Sequence, residues 1–378
     1  MYIRKSLLLY LVCICLQQTN LSAQTGKPLQ LGSNRELFVD QYLIEKLNNV
    51  TQHLYTPRSE GTVLKFDNPW EGNFSGYSTI IKDGTQFRLY YRGVREAKGD
   101  GNETEVTCYA ESSDGINWKK PNLGIYTING TTDNNVVLAH AAPATHNFSP
   151  FLDRNPNAKA TERFKALGGT DRTGLFAFVS ADGIHWKKIQ DSAVYKTGVF
   201  DSQNVSFWSE SEQQYVCYFR TWSDGGFTQY KGFRSVSRTT SKDFINWTAP
   251  VKMTFGDTPL DHLYTNQTSP YFRAPHIYLS ICARFMPKRQ VLTDEQAKAL
   301  NVNPGYFKDC SDAVFMSTRG GSVYDRTFMQ SFIRPEIGLE NWVSRSNYPV
   351  LNVVQTSPTE LSVYVNESYA QPTAHIKR

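Results

Sequence analysis

The sequence predicts an all-β fold, a five-bladed β-propeller of four-stranded antiparallel blades. Three observations carry this expectation. A short turn motif recurs along the chain, the intervals between its copies each fit one blade, and the segments between turns alternate apolar and polar residues as half-buried strands do. The motif reads SSDGINWKK at Ser112–Lys120 and SADGIHWKK at Ser180–Lys188. SKDFINW at Ser241–Trp247 is a third copy, and STRGGSV at Ser317–Val323 a worn fourth.

Each residue of the SxDGxxW pattern has a local task. The Ser hydroxyl and Asp carboxylate accept hydrogen bonds from the backbone of a tight turn, Gly supplies a positive φ, and Trp falls on the next strand to pack inward. The copies start 68, 61 and 76 residues apart, room for four short strands and their turns. Residues from about 37 to 378 divide into five such units.

The 378 residues begin with Arg4 and Lys5, an apolar run Leu7–Leu16 and the small residue Ala23. This is the layout of a secretory signal peptide, residues 1–23, with an apolar stretch too short to span a bilayer. The remaining chain, 24–378, is expected to be one propeller domain, exported to the periplasm or the medium, with no membrane anchor. Its formal charge falls from +5 to +3 without Arg4 and Lys5, which gives no footing for a nucleic-acid partner. Outside the signal stand Cys108, Cys217, Cys282 and Cys310, with no CxxC pair. They read as buried strand cysteines rather than zinc ligands.

Taken in order, blade one offers YSTIIKD, FRLYYRG, EVTCYAE and GIYTING, and blade two SPFLDR, RFKALGG, GLFAFVS and SAVYKTG. Blade three offers NVSFWSE, YVCYFRT, GFRSVSR and PVKMTFG; blade four SPYFRA, IYLSICARF and DAVFMST; blade five VLNVVQT and ELSVYVNES. LTDEQAKAL at Leu292–Leu300 is a capped helix inserted in blade four. Blade five is short of strands, and RELFVDQYLIE at Arg35–Glu45 is the expected closing strand.

The inner strands begin near Tyr77, Phe148, Val205, Ser269 and Val350, and polar residues gather just ahead of them. They are Glu71 and Asn73; His146 and Asn147; Asp201, Gln203 and Asn204; Asp261, His262, Tyr264 and Asn266; and Arg345 and Asn347. Five loops presenting such groups at one end of a channel suit the reading of sugar hydroxyls. The next strands place Arg92, Arg220 and Arg284 at corresponding points, with Asn366 and Glu367 in blade five. Three cations in a half-buried ring require carboxylates or an anionic ligand, and a uronic or sulfated saccharide would satisfy them through bidentate contacts.

RELFVDQYLIE, GYSTIIKDGTQFRLYYRG, EVTCYAESSDGINWKKPNLG, FDSQNVSFW and ENWVSRSNYP resemble secreted bacterial glycosyl-hydrolase-like proteins. The pattern is similar to the five-bladed propeller glycoside hydrolases, the broad group of families 43, 32, 62, 117 and 130, over nearly the whole chain after residue 23. The resemblance implies an active site at the channel mouth in which carboxylates divide the work. Neither NDPNG nor RDP occurs, so no catalytic residue carries over directly.

On that resemblance Asp201 and Glu71 are candidates for base and orienting acid, and Glu367, or Asp261 with His262, for proton donor. Each also has a structural reading, as strand cap, loop former or buried ion pair. Asp40 is a further candidate acid, whereas Asp114 and Asp182 belong to the repeat turns. Tyr77, Tyr91, Trp208, Tyr264 and Tyr348 stack on sugars or fill the core. Arg92, His146, Asn147, Gln203, Asn204, Arg220, Tyr264, Asn266, Arg284, Arg345 and Asn347 are the substrate-binding candidates. No cofactor is required; a channel cation, as several relatives hold, would draw on His146, Asp201 and Asp261. The expected activity is hydrolysis of glycosidic bonds in a plant or algal glycan, with a non-catalytic carbohydrate-binding propeller or a glycoside phosphorylase as alternatives.

Overall fold

The computed structural model describes residues 29–96 and 98–378; the expected signal segment, 1–23, lies outside them. Residues 37–378 make up one compact unit. Its first strand, β1 (Thr62–Lys65), is hydrogen-bonded to the far end of the chain, Thr62 opposite Lys377 and Lys65 opposite His375. Among the described residues the strands form five blades and a separate two-stranded hairpin.

Blade one is β2 (Gly76–Asp83), β3 (Gln86–Gly93), β4 (Val106–Ser112) and β5 (Val136–Leu138). Blade two is β6 (Ser149–Leu152), β7 (Phe164–Thr170), β8 (Gly174–Ser180) and β9 (Lys187–Lys188). Blade three is β10 (Val205–Ser209), β11 (Gln214–Trp222), β12 (Arg234–Ser241) and β13 (Val251–Lys252). In blade four the long β16 (Ala274–Met286) pairs with both β14 (His262–Thr265) and β15 (Thr268–Tyr271), then with β17 (Cys310–Thr318), which holds β18 (Ser331–Ile333). The expected helix, α1 (Asp294–Ala299), sits between β16 and β17, with Thr293 and Gln296 forming a capping box.

Blade five runs from β19 (Tyr348–Pro349) past a separate hairpin, β20 (Val354–Ser357) and β21 (Glu360–Ser362), to β22 (Val365–Glu367) and β23 (His375–Lys377). The sheet order is β1, β23, β22, β19, so β1 completes the ring from outside. Two expectations change here. VLNVVQT and ELSVYVNES supply the hairpin and only one blade strand. Residues 37–45 form no strand: Phe38 and Tyr42 are 66% and 51% exposed, and the segment clamps the turn end of blade four instead. Ser317 Oγ donates to the Val39 carbonyl (3.1 Å), and Asp40 pairs with Arg319 (2.7 Å). Asp40 is thereby removed from the channel.

The repeat turns have the expected geometry. Ser112 Oγ accepts from the Gly115 N–H (2.9 Å), Asp114 Oδ1 accepts from the N–H groups of Ile116 and Asn117 (2.8 Å each), and Trp118 Nε1 donates to the Gly115 carbonyl (3.1 Å). Asp182 and Asp243 repeat the pattern. In the third copy Phe244 takes the positive φ (67°) where the others have Gly, and its ring is fully buried against Phe151, Tyr215 and Trp247. The fourth copy lacks the Asp and forms a different turn, with Thr318 Oγ1 donating to the Gly320 carbonyl (3.0 Å). Cys108, Cys217, Cys282 and Cys310 are buried free thiols, as expected, and burial pushes each of them up.

Candidate functional site

The inner strands β2, β6, β10, β14 and β19 come together around a channel with two mouths. The far mouth opens into a wide hollow of about 790 Å³ lined by Ile80, Phe151, Phe207, Trp208 and Leu351. The mouth where the inner strands begin holds a much smaller cleft of about 70 Å³. Charged and aromatic groups meet there: Tyr77, Arg92, Lys98, Asp100, Glu105, Asp201, Tyr264, Tyr306, Arg345 and Tyr369 all border it.

Asp201 stands just ahead of β10 and forms an ion pair with Arg220 of β11. Ser202 Oγ donates to the Tyr264 carbonyl (3.0 Å), tying the Asp201 loop to β14. Tyr264 is the hub. Its ring centre lies 4.6 Å from the guanidinium carbon of Arg220, 5.0 Å from that of Arg234 and 5.4 Å from that of Arg345. Burial alone would raise the phenol; Arg345, Arg220 and Arg234 overcome it and bring Tyr264 down to about 7. Tyr77 and Tyr348, packed beside it, are instead pushed well up, chiefly by burial.

Positive charge exceeds what the carboxylates here can balance. Burial, with Arg220 and Arg345 close by, pushes Arg234 below the ordinary guanidinium range. Nε and Nη1 of Arg220, Nε of Arg234, Nε of Arg92 and the Tyr348 hydroxyl are buried with no hydrogen-bond partner among the described residues. Such donors are costly unless a ligand satisfies them.

Arg92 crosses the Tyr77 ring at 4.5 Å and donates to Asn147 Oδ1 (3.1 Å) and the Tyr369 hydroxyl (3.2 Å). That bond orients the Asn147 amide, so its Nδ2 faces His146 Nε2 (3.1 Å) and His146 Nε2 is an acceptor. His146 Nδ1 faces Glu105 Oε2 at 2.9 Å and lies 3.2 Å from the Gly101 N–H. Asp100, Glu105 and His146 have ligand atoms within 4.8 Å of one another and are the group best placed to hold a cation. The expected trio His146, Asp201 and Asp261 does not converge, since Asp201 faces Arg220 and Asp261 faces Arg326 (2.7 Å).

Several sequence candidates do other work. Glu71 is buried inside blade one, bonded to Lys120 (2.7 Å), the Tyr91 hydroxyl (2.5 Å) and the Asn68 N–H (2.9 Å). Glu367 pairs with Lys377 (2.8 Å) and faces His375 (3.5 Å) between β22 and β23. Arg284 is held by both oxygens of Asp312 (2.9 and 2.6 Å), and His262 Nδ1 accepts from the Arg234 N–H (3.2 Å). Gln203 fills the channel axis, donating to Thr79 Oγ1 (2.8 Å) and accepting from Gln267 Nε2 (2.8 Å), while Asn366 Oδ1 accepts from Ser78 (3.0 Å). Asn204, Asn266 and Asn347 are buried in loop bonds to Ser202, Thr268 and Ser311. None of these residues borders the cleft.

The candidates that do border it are Asp201, Tyr77, Arg92, Tyr264 and Arg345, with Arg220 behind Asp201. Sequence reasoning missed Arg234, Asp100, Glu105, Tyr306 and Tyr369. Arg234 carries a weak signal, as the one cation opening a third strand; the others sit on loops with no periodic pattern.

No protein-family model matches the chain, and no curated protein does. Solved structures do. A BT0996 RGII complex has a TM-score of 0.53 at 10% identity, covering 86% of this chain and 91% of that protein. A "Glycoside hydrolase" gives 0.52 at 11%, covering 86% and 91%. An N-acetylgalactosamine deacetylase from F. plautii, in complex with blood group B trisaccharide, gives 0.52 at 11%, covering 85% and 93%. At such identities the likeness is one of fold: the chain is a five-bladed β-propeller of the type found in glycoside hydrolases.

Proposed function

We propose that the protein is an exported glycosidase that hydrolyses bonds in an acidic plant or algal glycan at the cleft where the inner strands begin. The observation that carries this reading is an aromatic-walled cleft bordered by Asp201, Arg345 and Arg92, with buried, unpartnered guanidinium donors on Arg92 and, behind the Asp201 and Tyr264 wall, on Arg220 and Arg234. Arg92 and Arg345, which border the cleft, would take the carboxylate or sulfate of the sugar, and Tyr77, Tyr306 and Tyr369 would pack on its ring. Asp201, ion-paired with Arg220, is suited to accept a proton from attacking water. The layout of residues 1–23 supports export.

The fold leaves other chemistries open, since it also occurs in a deacetylase. The test is incubation with uronic, sulfated, acetylated and neutral oligosaccharides, followed by mass spectrometry and anomeric NMR. Release of a sugar from an acidic member supports the reading. Acetate release alone would make it a deacetylase, a phosphorylated sugar formed only with added phosphate would make it a phosphorylase, and binding without product would make it a lectin-like propeller.

A further inference from the structure

A two-carboxylate hydrolase needs one carboxylic acid that stays protonated near neutral pH. This cleft is a poor place for one. Glu105 is buried, which alone would raise it, yet its bond to His146 and the charge of Arg92 hold it below the ordinary range. Asp201 is in direct contact with Arg220. The same cations act on a phenol in the opposite practical sense, because an unperturbed phenol releases its proton only near pH 10.

We infer that Tyr264, with guanidinium groups from three separate segments around its ring, is the general acid of this site. This rests on the hydrolase reading and adds a role to it. Water adds to the anomeric carbon as Asp201 takes one of its protons. The bond from that carbon to the leaving oxygen breaks with its electron pair staying on oxygen, and that oxygen takes the Tyr264 hydroxyl proton. Solvent then returns the proton on Asp201 to the phenolate, so the cycle consumes only water and glycoside.

The groups facing Tyr264 are Arg220 of β11, Arg234 of β12, Arg345 ahead of β19, Tyr348 of β19, Tyr77 of β2, Phe285 of β16 and the Tyr306 phenol, with Asp201 beside Arg220 on the same wall of the cleft. A net positive surround is what brings the free phenol to about 7, near the optimum for proton transfer at neutral pH. An anionic sugar group in the cleft against Arg345 would cancel part of that field. Tyr264 would then hold its proton more firmly in the complex than in the free protein, so the ligand that needs the acid also arms it.

The experiment compares wild type with Tyr264→Phe, with circular dichroism confirming the fold. A phenolate absorbance titration should show one step with a midpoint near 7 in the wild type, absent from the variant. The variant should lose about 10²–10⁴-fold in kcat on a natural glycoside, but far less on an activated aryl glycoside whose leaving oxygen needs no proton. The alkaline limb of the wild-type profile should lie higher in kcat than in kcat/KM. Equal losses on both substrates, or no phenol titrating below about 9, would overturn the inference. A wild type that cleaves no glycan would overturn the hydrolase reading and this role with it, a result distinct from equal losses in an active protein.

Discussion

Replacing Arg345 by Met removes one of the three charges around Tyr264 while leaving the phenol and Asp201 in place. The guanidinium carbon is 5.4 Å from the ring centre. Taking that as the charge separation and an effective permittivity of about 20, the lost interaction with a phenolate is about 3 kcal/mol, or roughly two pKa units. The Tyr264 midpoint should therefore move from about 7 to about 9. The assay is the absorbance titration with Tyr264→Phe as blank, run at low and high salt; a buried pair should respond weakly to salt. The direction follows from charge alone: losing a cation disfavours the phenolate, so more of the phenol stays protonated at neutral pH. The alkaline limb of kcat/KM should rise by the same amount. A midpoint within about half a unit of wild type would show that Arg345 does not set the phenol's charge, and the cationic cage would fail as an explanation.

Three further outcomes follow from other residues. Asp201→Asn should abolish turnover yet bind an acidic oligosaccharide at least as tightly, because Arg220 loses its internal counter-charge; calorimetry against a sulfated or uronic oligosaccharide checks it. Glu71→Gln should leave turnover per folded molecule unchanged while lowering unfolding free energy by about 3 kcal/mol, the cost of breaking a buried pair, since Lys120 keeps its charge at that site; urea unfolding alongside active-site titration separates the two. Phe244→Gly should destabilise by about 3 kcal/mol or more in the same assay, even though Gly suits the φ of 67° better, because the ring is fully buried.

Much of the ring was legible because each blade repeats a local pattern. Ser112, Asp114 and Trp118 write the turn in side chains that bond to their own backbone, so three residues announce a hairpin without help from the rest of the fold. The closing strand was not, because Thr62–Lys65 is four residues long and shows no alternation that a short window could detect. Leu37–Ile44 alternates more convincingly, but its Phe38 and Tyr42 face solvent, and what anchors it is the distant pair Asp40–Arg319. The site was legible by position: Asp201, Tyr264, Arg92 and Arg345 all stand at inner-strand mouths or on the strand next to them. Whether a polar residue there opens to the cleft depends on its partner across the blade. Glu71 finds Lys120 and Arg284 finds Asp312, 49 and 28 residues away, and no local pattern reports such pairings.

The pairing of β1 with β23 gives assembly of this ring a fixed last step. Thr62 meets Lys377 from the opposite end of the folded chain, a separation that makes the contact slow to form and late to reward. During synthesis, blades one to four can each fold as their own residues become free, but the fifth exists only once both chain segments are present. Until then β1 and the outer side of the fifth sheet offer unpaired strand edges, the surfaces through which propellers would join the wrong neighbour. Once the seam is shut, no blade can peel away without breaking contacts on both of its sides.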